Sequence, residues 1–167
     1  NLYCPNSLRC PEQIKGRIEY WVSKDCMDID GIGDNIVAQL VEKGMVVTPA
    51  DLYKLTVDDF LKLDLIAEKS AQNLYNVIQA SKNPPLARFI NSLGIRHVGK
   101  ETSELIANYF KTLDNLKHAT QEDFLEIDGI GDKIADSILD FFQNSYNNNI
   151  LQDLQKYGVN PVNVDNS

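Results

Sequence analysis

Met27-Asp28-Ile29-Asp30-Gly31-Ile32-Gly33-Asp34 returns later in the same chain as Leu125-Glu126-Ile127-Asp128-Gly129-Ile130-Gly131-Asp132. In each copy an apolar residue leads through an acid into Gly-Ile-Gly-Asp, after which a helical pattern begins. Paired glycines allow positive φ angles and let another molecule come close to the backbone. The helix that follows starts with unpaired N–H groups at the positive end of its dipole, which together attract an anion. Two such turns in one chain predict a device that grips two points on a phosphate backbone.

Working outward from these turns, the pattern is helical almost throughout. Pro11 to Lys24 places Ile14, Ile18, Trp21 and Val22 on one face. Thr48-Pro49-Ala50-Asp51 combines a cap residue, a proline at the first helical position and an early acid. Thr56 and Thr120 repeat the capping pattern, with Asp59 and Asp123 three residues on. Glu68 to Ser81 carries Ala71, Leu74, Tyr75 and Ile78 as a stripe. Further helices are read over Leu86 to Leu93, Lys100 to Phe110, Asp132 to Phe142 and Asn149 to Tyr157, with Gly158 as a C-terminal cap. Asn83-Pro84-Pro85 is the best internal break, because a residue before proline resists helix. No alternating strand pattern is present, and the fold expected is all-α.

The repeat extends beyond its two clear copies. From Gly33, 34 residues lead to Ala67, 32 more to Gly99 and another 32 to Gly131. Each opens a helix with a small or apolar residue four places on: Val37, Ala71, Ser103 and Ala135. The second copy has Leu65 and Ala67 where glycines belong. The third, Gly94-Ile95-Arg96-His97-Val98-Gly99, reads as a stretched hairpin between its glycines. Four helix–turn–helix units in two pairs result.

Other chemistries fail on particular residues. A dinucleotide fingerprint starting at Gly31 would need glycine where Ile36 stands, and no strand precedes it. A calcium loop starting at Asp28 would put Ile32 and Gln39 at the fifth and twelfth ligand positions, and neither can donate a carboxylate. Gly94 to Lys100 matches a nucleotide-hydrolase phosphate loop until Glu101 replaces the magnesium-binding hydroxyl. The formal net charge of −8 argues against a nucleic-acid binder and favours a protein-interaction scaffold, although backbone amides hold phosphates without side-chain charge. No apolar run approaches a membrane span and no signal peptide is visible. The start at Asn1 reads as an excised piece. Three cysteines do not make a disulfide framework, so a reducing compartment is expected. Cys4 and Cys10 precede the first helix as two possible thiolate ligands, and Cys26 is either a third ligand or a small buried hydrophobe. His97 and His118 lack ligand-spaced partners and read as structural or surface residues.

Cys4-x5-Cys10-Pro11, Ser23 through Gly33, Leu93-Gly94-Ile95-Arg96-His97-Val98-Gly99 and Gly129-Ile130-Gly131 resemble, in order and over essentially the whole chain, the C-terminal half of bacterial NAD-dependent DNA ligases. The resemblance implies four helix-hairpin-helix motifs in two tandem pairs, preceded by the remnant of a four-cysteine zinc finger. Residues 1–22 would be the partial finger and connecting helix, 23–83 the first pair, 84–159 the second, and 160–167 a linker towards a BRCT domain. Cys4 and Cys10 would be the last two zinc ligands, leaving the site half present. Gly31, Gly33, Asp34, Gly94, Gly99, Lys100, Gly129, Gly131 and Lys133 would face DNA, the lysines adding charge. The partners implied are nicked double-stranded DNA, gripped in the minor groove without regard to sequence, and the nucleotidyltransferase, OB-fold and BRCT domains.

A parent enzyme of this family seals nicks in replication and repair with NAD and magnesium or manganese. It works in the cytoplasm on the nucleoid. This chain departs from the family pattern at three points: the first cysteine pair, the glycines of the second hairpin and the Lys-x-Asp-Gly nucleotidyltransferase motif are all absent. The stretch is therefore expected to have no catalytic residue and not to join DNA alone. The rival expectations are a helix-hairpin-helix scaffold and the DNA-binding tail of another repair protein.

Overall fold

A computed structural model describes residues 11–163, and every regular element among them is a helix. These are α1 (Pro11–Val22), α2 (Asp34–Glu42), a 3-10 helix (Pro49–Lys54), α3 (Val57–Leu61), α4 (Glu68–Ala80), α5 (Leu86–Ser92), α6 (Lys100–Phe110), α7 (Leu113–Lys117), α8 (Gln121–Leu125), α9 (Asp132–Gln143) and α10 (Ser145–Lys156). Helices α1 and α2, α3 and α4, α5 and α6, and α8 and α9 pack against each other, which makes four helical hairpins. The repeat register is correct at its deepest point. Val37, Ala71, Ser103 and Ala135, four residues past each landing point, are all 0 % exposed.

The chain's own chemistry sets the helix boundaries. Thr56 Oγ1 accepts from the Asp59 N–H at 3.3 Å while Asp59 accepts from the Thr56 N–H at 2.9 Å. Thr120 and Asp123 repeat the pair at the start of α8. The sequence places α10 at Asn149, but it begins four residues earlier. Asn144 caps it by accepting from the Asn147 N–H at 3.1 Å, and the Asn147 and Asn148 amides bond to the carbonyls of Phe141 and Phe142. The Thr48-Pro49 signal produces a 3-10 turn rather than an α-helix. The short α7, capped by Thr112, carries too little periodicity to be read in advance. Gly158 sits at φ 92° as the expected cap of α10, with the Val159 N–H reaching back to Leu154 at 2.8 Å.

Elements on both sides of Pro84-Pro85 share one core. Trp21 of α1 stands edge-on to Phe89 of α5, with ring centroids 6.0 Å apart. The Arg88 guanidinium donates to the carbonyls of Lys24 and Cys26 at 2.7 and 2.9 Å. The Asn91 amide donates to the Asp25 carbonyl at 2.9 Å. Helix α10 returns to pack on the 3-10 helix. The segment after α10 runs beside the diproline: Asn160 and Val162 donate to the carbonyls of Lys82 and Pro84, and Leu86 donates to Val162.

This junction should respond to pH. The Tyr20 hydroxyl donates to the Asn91 carbonyl at 2.9 Å. Burial, followed by the neighbouring Cys26 and Asp25, pushes Tyr20 up to about 12. Its folded pKa thus lies above the unfolded value of about 10, so its contribution is intact below pH ~10 and lost as pH rises towards 12. The urea midpoint should fall between about pH 9 and pH 11.5, and less steeply in Tyr20→Phe. Identical pH profiles for the two proteins would exclude this role for Tyr20.

Candidate nucleic-acid interface

The four hairpin turns share one backbone course. Two residues before each helix cap the chain takes positive φ: Gly31 at 98°, Leu65 at 65°, His97 at 68° and Gly129 at 97°. The cap residue is extended in each case, Gly33 at φ −91°, Ala67 at −96°, Gly99 at −101° and Gly131 at −102°. An apolar side chain between the two turns inward. Ile32, Val98 and Ile130 are buried and Ile66 is half-buried. The second hairpin therefore keeps the shape without either glycine.

Two expectations change. Positive φ belongs to the first glycine of each Gly-Ile-Gly alone, since the second occupies backbone that any residue adopts. Gly94 is not a hairpin-turn glycine. It closes α5 at φ 68°, where an added Cβ would lie 3.8 Å from the Tyr20 ring, and His97 holds the turn position instead. The third turn thus keeps the same two-residue spacing from positive φ to cap as the others. The phosphate-loop alternative also fails here, because Gly94 to Lys100 joins two packed helices.

The cap glycines face outward. A Cβ added to Gly33, Gly99 or Gly131 would meet no atom of the described residues within 4 Å beyond its own chain neighbours. Their smallness serves nothing inside the described structure and leaves room for something outside it.

The helix starts sort into two kinds. Helices α3, α7, α8 and α10 each have a Thr or Asn side chain accepting from the third N–H. Helices α2, α4, α6 and α9 follow the hairpins and have no side-chain cap. Their first intrahelical bonds run from Val37, Ala71, Ser103 and Ala135 back to the cap carbonyls, so the preceding first-turn amides stay open. Helix α5, which opens at Pro85, also lacks a side-chain cap, but its Leu86 N–H donates to the Val162 carbonyl, whereas the first-turn amides of the four hairpin helices have no acceptor among the described residues.

The side chains around these amides differ by hairpin. Asp34, Glu68, Lys100 and Asp132 occupy the first helical position and are exposed. The first turn carries Asp28, Asp30 and Asp34, and the fourth carries Glu126, Asp128 and Asp132 against Lys133. Arg96 and Lys100 outweigh Glu101 at the third, the one basic turn of the four. Neither Lys100 nor Lys133 pairs with a carboxylate among the described residues. Hairpins one and two are linked by Gln39, whose Oε1 accepts from the Asp64 N–H at 2.6 Å. Asp30 and Gly31 face Ile66 and Ser70 across a cleft of about 250 Å³. In the other pair, Leu105 of α6 lies against the Gly129 turn and Tyr109 donates to Glu126 at 2.8 Å.

Cys4 and Cys10 lie outside the described residues. Cys26 is fully buried, with the Asn91 amide 3.9 Å from its sulfur, as a small buried hydrophobe would be. No group of three His, Cys, Asp or Glu suited to a metal occurs among the described residues. His97 lies exposed on the third turn, and the exposed His118 has its Nδ1 2.8 Å from the Asp114 carbonyl. No helix in the described residues is long and apolar enough to cross a membrane.

Comparison with known proteins agrees with this geometry. Residues 23–80 match the model for SAM-like helix-hairpin-helix tandems, and residues 88–151 match the helix-hairpin-helix motif. The chain is 43 % identical over 159 residues to a DNA ligase of Flavobacterium johnsoniae, a match covering 95 % of this chain and 24 % of that protein. It is 44 % identical over 155 residues to that of Syntrophus aciditrophicus and 46 % identical over 155 residues to that of Geobacter metallireducens, covering 93 % of this chain and 23 % of each relative. The chain thus spans about a quarter of the length of the curated relatives it matches.

Proposed function

We propose that this tandem helix-hairpin-helix chain, which corresponds to a segment of the DNA ligases, holds duplex DNA at a nick for an NAD-dependent ligase. The observation that carries the reading is the set of four uncapped hairpin helices, three of them opening on an outward-facing glycine. Such amides donate to phosphate oxygens without any side-chain charge, which answers the objection raised by a net charge of −8. The residues in contact are Gly31, Gly33, Asp34, Gly99, Lys100, Gly129, Gly131 and Lys133. Asp34 takes part through its amide, since its carboxylate repels phosphate. Gly94 shapes the third hairpin from behind.

Amides on phosphates carry no base information, so the grip is indifferent to sequence. The adenylated lysine, NAD and magnesium or manganese belong to a nucleotidyltransferase domain, with OB-fold and BRCT domains as the other partners, and the setting is the cytoplasmic nucleoid. Domain limits at 22, 83 and 159 follow from the same correspondence. Cys4 and Cys10 supply two thiolates to a four-ligand zinc finger, and the described residues offer no group to complete it.

A nicked duplex titrated with the chain at several salt concentrations tests the reading. With about four phosphates held, log K should fall against log salt with a slope near −3.6, at about −0.9 per phosphate. Scrambling the sequence around the nick should leave affinity unchanged. A salt-independent or undetectable interaction at low salt would remove the DNA reading and leave the scaffold.

A further inference from the structure

The four turns are alike in backbone and unlike in what projects from them. The positive-φ position is glycine in hairpins one and four, His97 in the third and Leu65 in the second. Leu65 is 98 % exposed, against 4 % for its neighbour Leu63. Left-handed backbone is unfavourable for an L-residue, and an apolar side chain in water forgoes the gain of burial. No contact among the described residues offsets either effect, since Leu63 and Ile66 make the inward contacts of this hairpin and Leu65 points away from them. By register it stands on the same outward row as Gly31 and Gly129, where the fold elsewhere presents bare backbone.

We propose that Leu65 is an apolar groove contact, lying against sugar faces and base edges in the minor groove of the duplex while the neighbouring turns hold phosphates. The inference rests on the DNA reading above and assigns the second hairpin a different task from its companions. Apolar side chains are the groups that proteins insert into the minor groove beside base steps. Lys62 and Lys69 balance Asp64 and Glu68 around this turn, so it avoids the acidic surplus of hairpins one and four. A neutral tip with one protruding leucine suits the walls of a groove better than a phosphate.

The test compares the full chain with Leu65→Gly, Leu65→Asn and Leu65→Met on a nicked duplex, with Gly131→Val in parallel. Glycine and asparagine both accept the left-handed backbone and remove the apolar group. Each should weaken binding by about fivefold to tenfold, in keeping with withdrawal of a leucine from an apolar contact. Because no phosphate contact is lost, the salt slope should stay unchanged. Methionine should bind within about twofold of the unaltered chain, and Leu65→Gly should melt no lower than it. Unchanged affinity in the glycine and asparagine variants, with Gly131→Val weakened, would overturn the Leu65 assignment and leave the DNA reading standing. Unchanged affinity in all four variants would remove both. A shallower salt slope in Leu65→Gly would make this hairpin a phosphate contact and would also overturn the proposal.

Discussion

Gly131→Val should weaken binding to a nicked duplex by at least about tenfold while shifting the melting temperature by only about 2–4 °C. Gly131 caps α9 in extended backbone that valine adopts freely, and a Cβ there meets no atom within 4 Å. The cost to the fold is the preference of a cap for glycine over a branched residue, about 1 kcal/mol or less. The cost to binding is larger. A branched side chain fills the space through which a phosphate reaches the first-turn amides, and each charge-assisted hydrogen bond contributes about 1.5–3 kcal/mol.

Gly129→Val should cost the fold far more. Its φ of 97° is strained for valine and an added Cβ comes within 3.3 Å of Leu105, so this variant should lose several times more stability. Ala67→Val should alter binding least, because that cap already carries a Cβ. The measurements are thermal melts by circular dichroism and nicked-duplex titrations. Equal DNA affinity for Gly131→Val and the unaltered chain would exclude the hairpin caps as the contact surface.

The hairpins were legible in the sequence because their information is local. A glycine pair, a capping threonine and a buried residue four places into each helix sit within a few positions of one another, and the repeat multiplies the signal. Periodicity alone therefore reached Val37, Ala71, Ser103 and Ala135. Where the meaning of a residue depended on φ, the sequence misled. Gly33 and Gly131 look as obligatory as Gly31 and Gly129, yet only the latter pair lies in left-handed backbone. Gly94 looks like half of a glycine pair and is a helix terminator. The open amides of the interface are visible only by contrast with the side-chain caps elsewhere, a comparison that needs the hydrogen bonds. The contacts of Arg88 and Asn91 with the 24–26 loop span more than sixty residues of sequence, and no local pattern announces them.

Those long-range contacts set the second large effect. Trp21→Ala should lower stability by about 3–5 kcal/mol, a fifth or more of the total of a typical domain, and reduce the melting temperature by roughly 10 °C. Trp21 is 1 % exposed and joins three elements. Its Nε1 donates to the Tyr53 hydroxyl at 3.1 Å, Tyr53 lies 3.0 Å from Ser81 Oγ, and its ring meets Phe89 edge-on. Removing it opens a cavity beneath both halves of the chain and withdraws a donor from a buried hydroxyl. Phe89→Ala should cost a similar amount, and the double variant should cost less than the sum, because the edge-to-face pair is lost only once.

The form of the transition is the sharper observation. Pro84-Pro85 looks like a border between two independent pairs, in which case Trp21→Ala would split the melt and leave the second half unmoved. With Trp21, Arg88, Asn91 and α10 tying the pairs into one core, the whole transition should move to lower temperature as a single step. Calorimetry of Trp21→Ala showing an unshifted second transition would mean that the two pairs fold separately. The contacts across the diproline would then be a docking surface rather than a shared core.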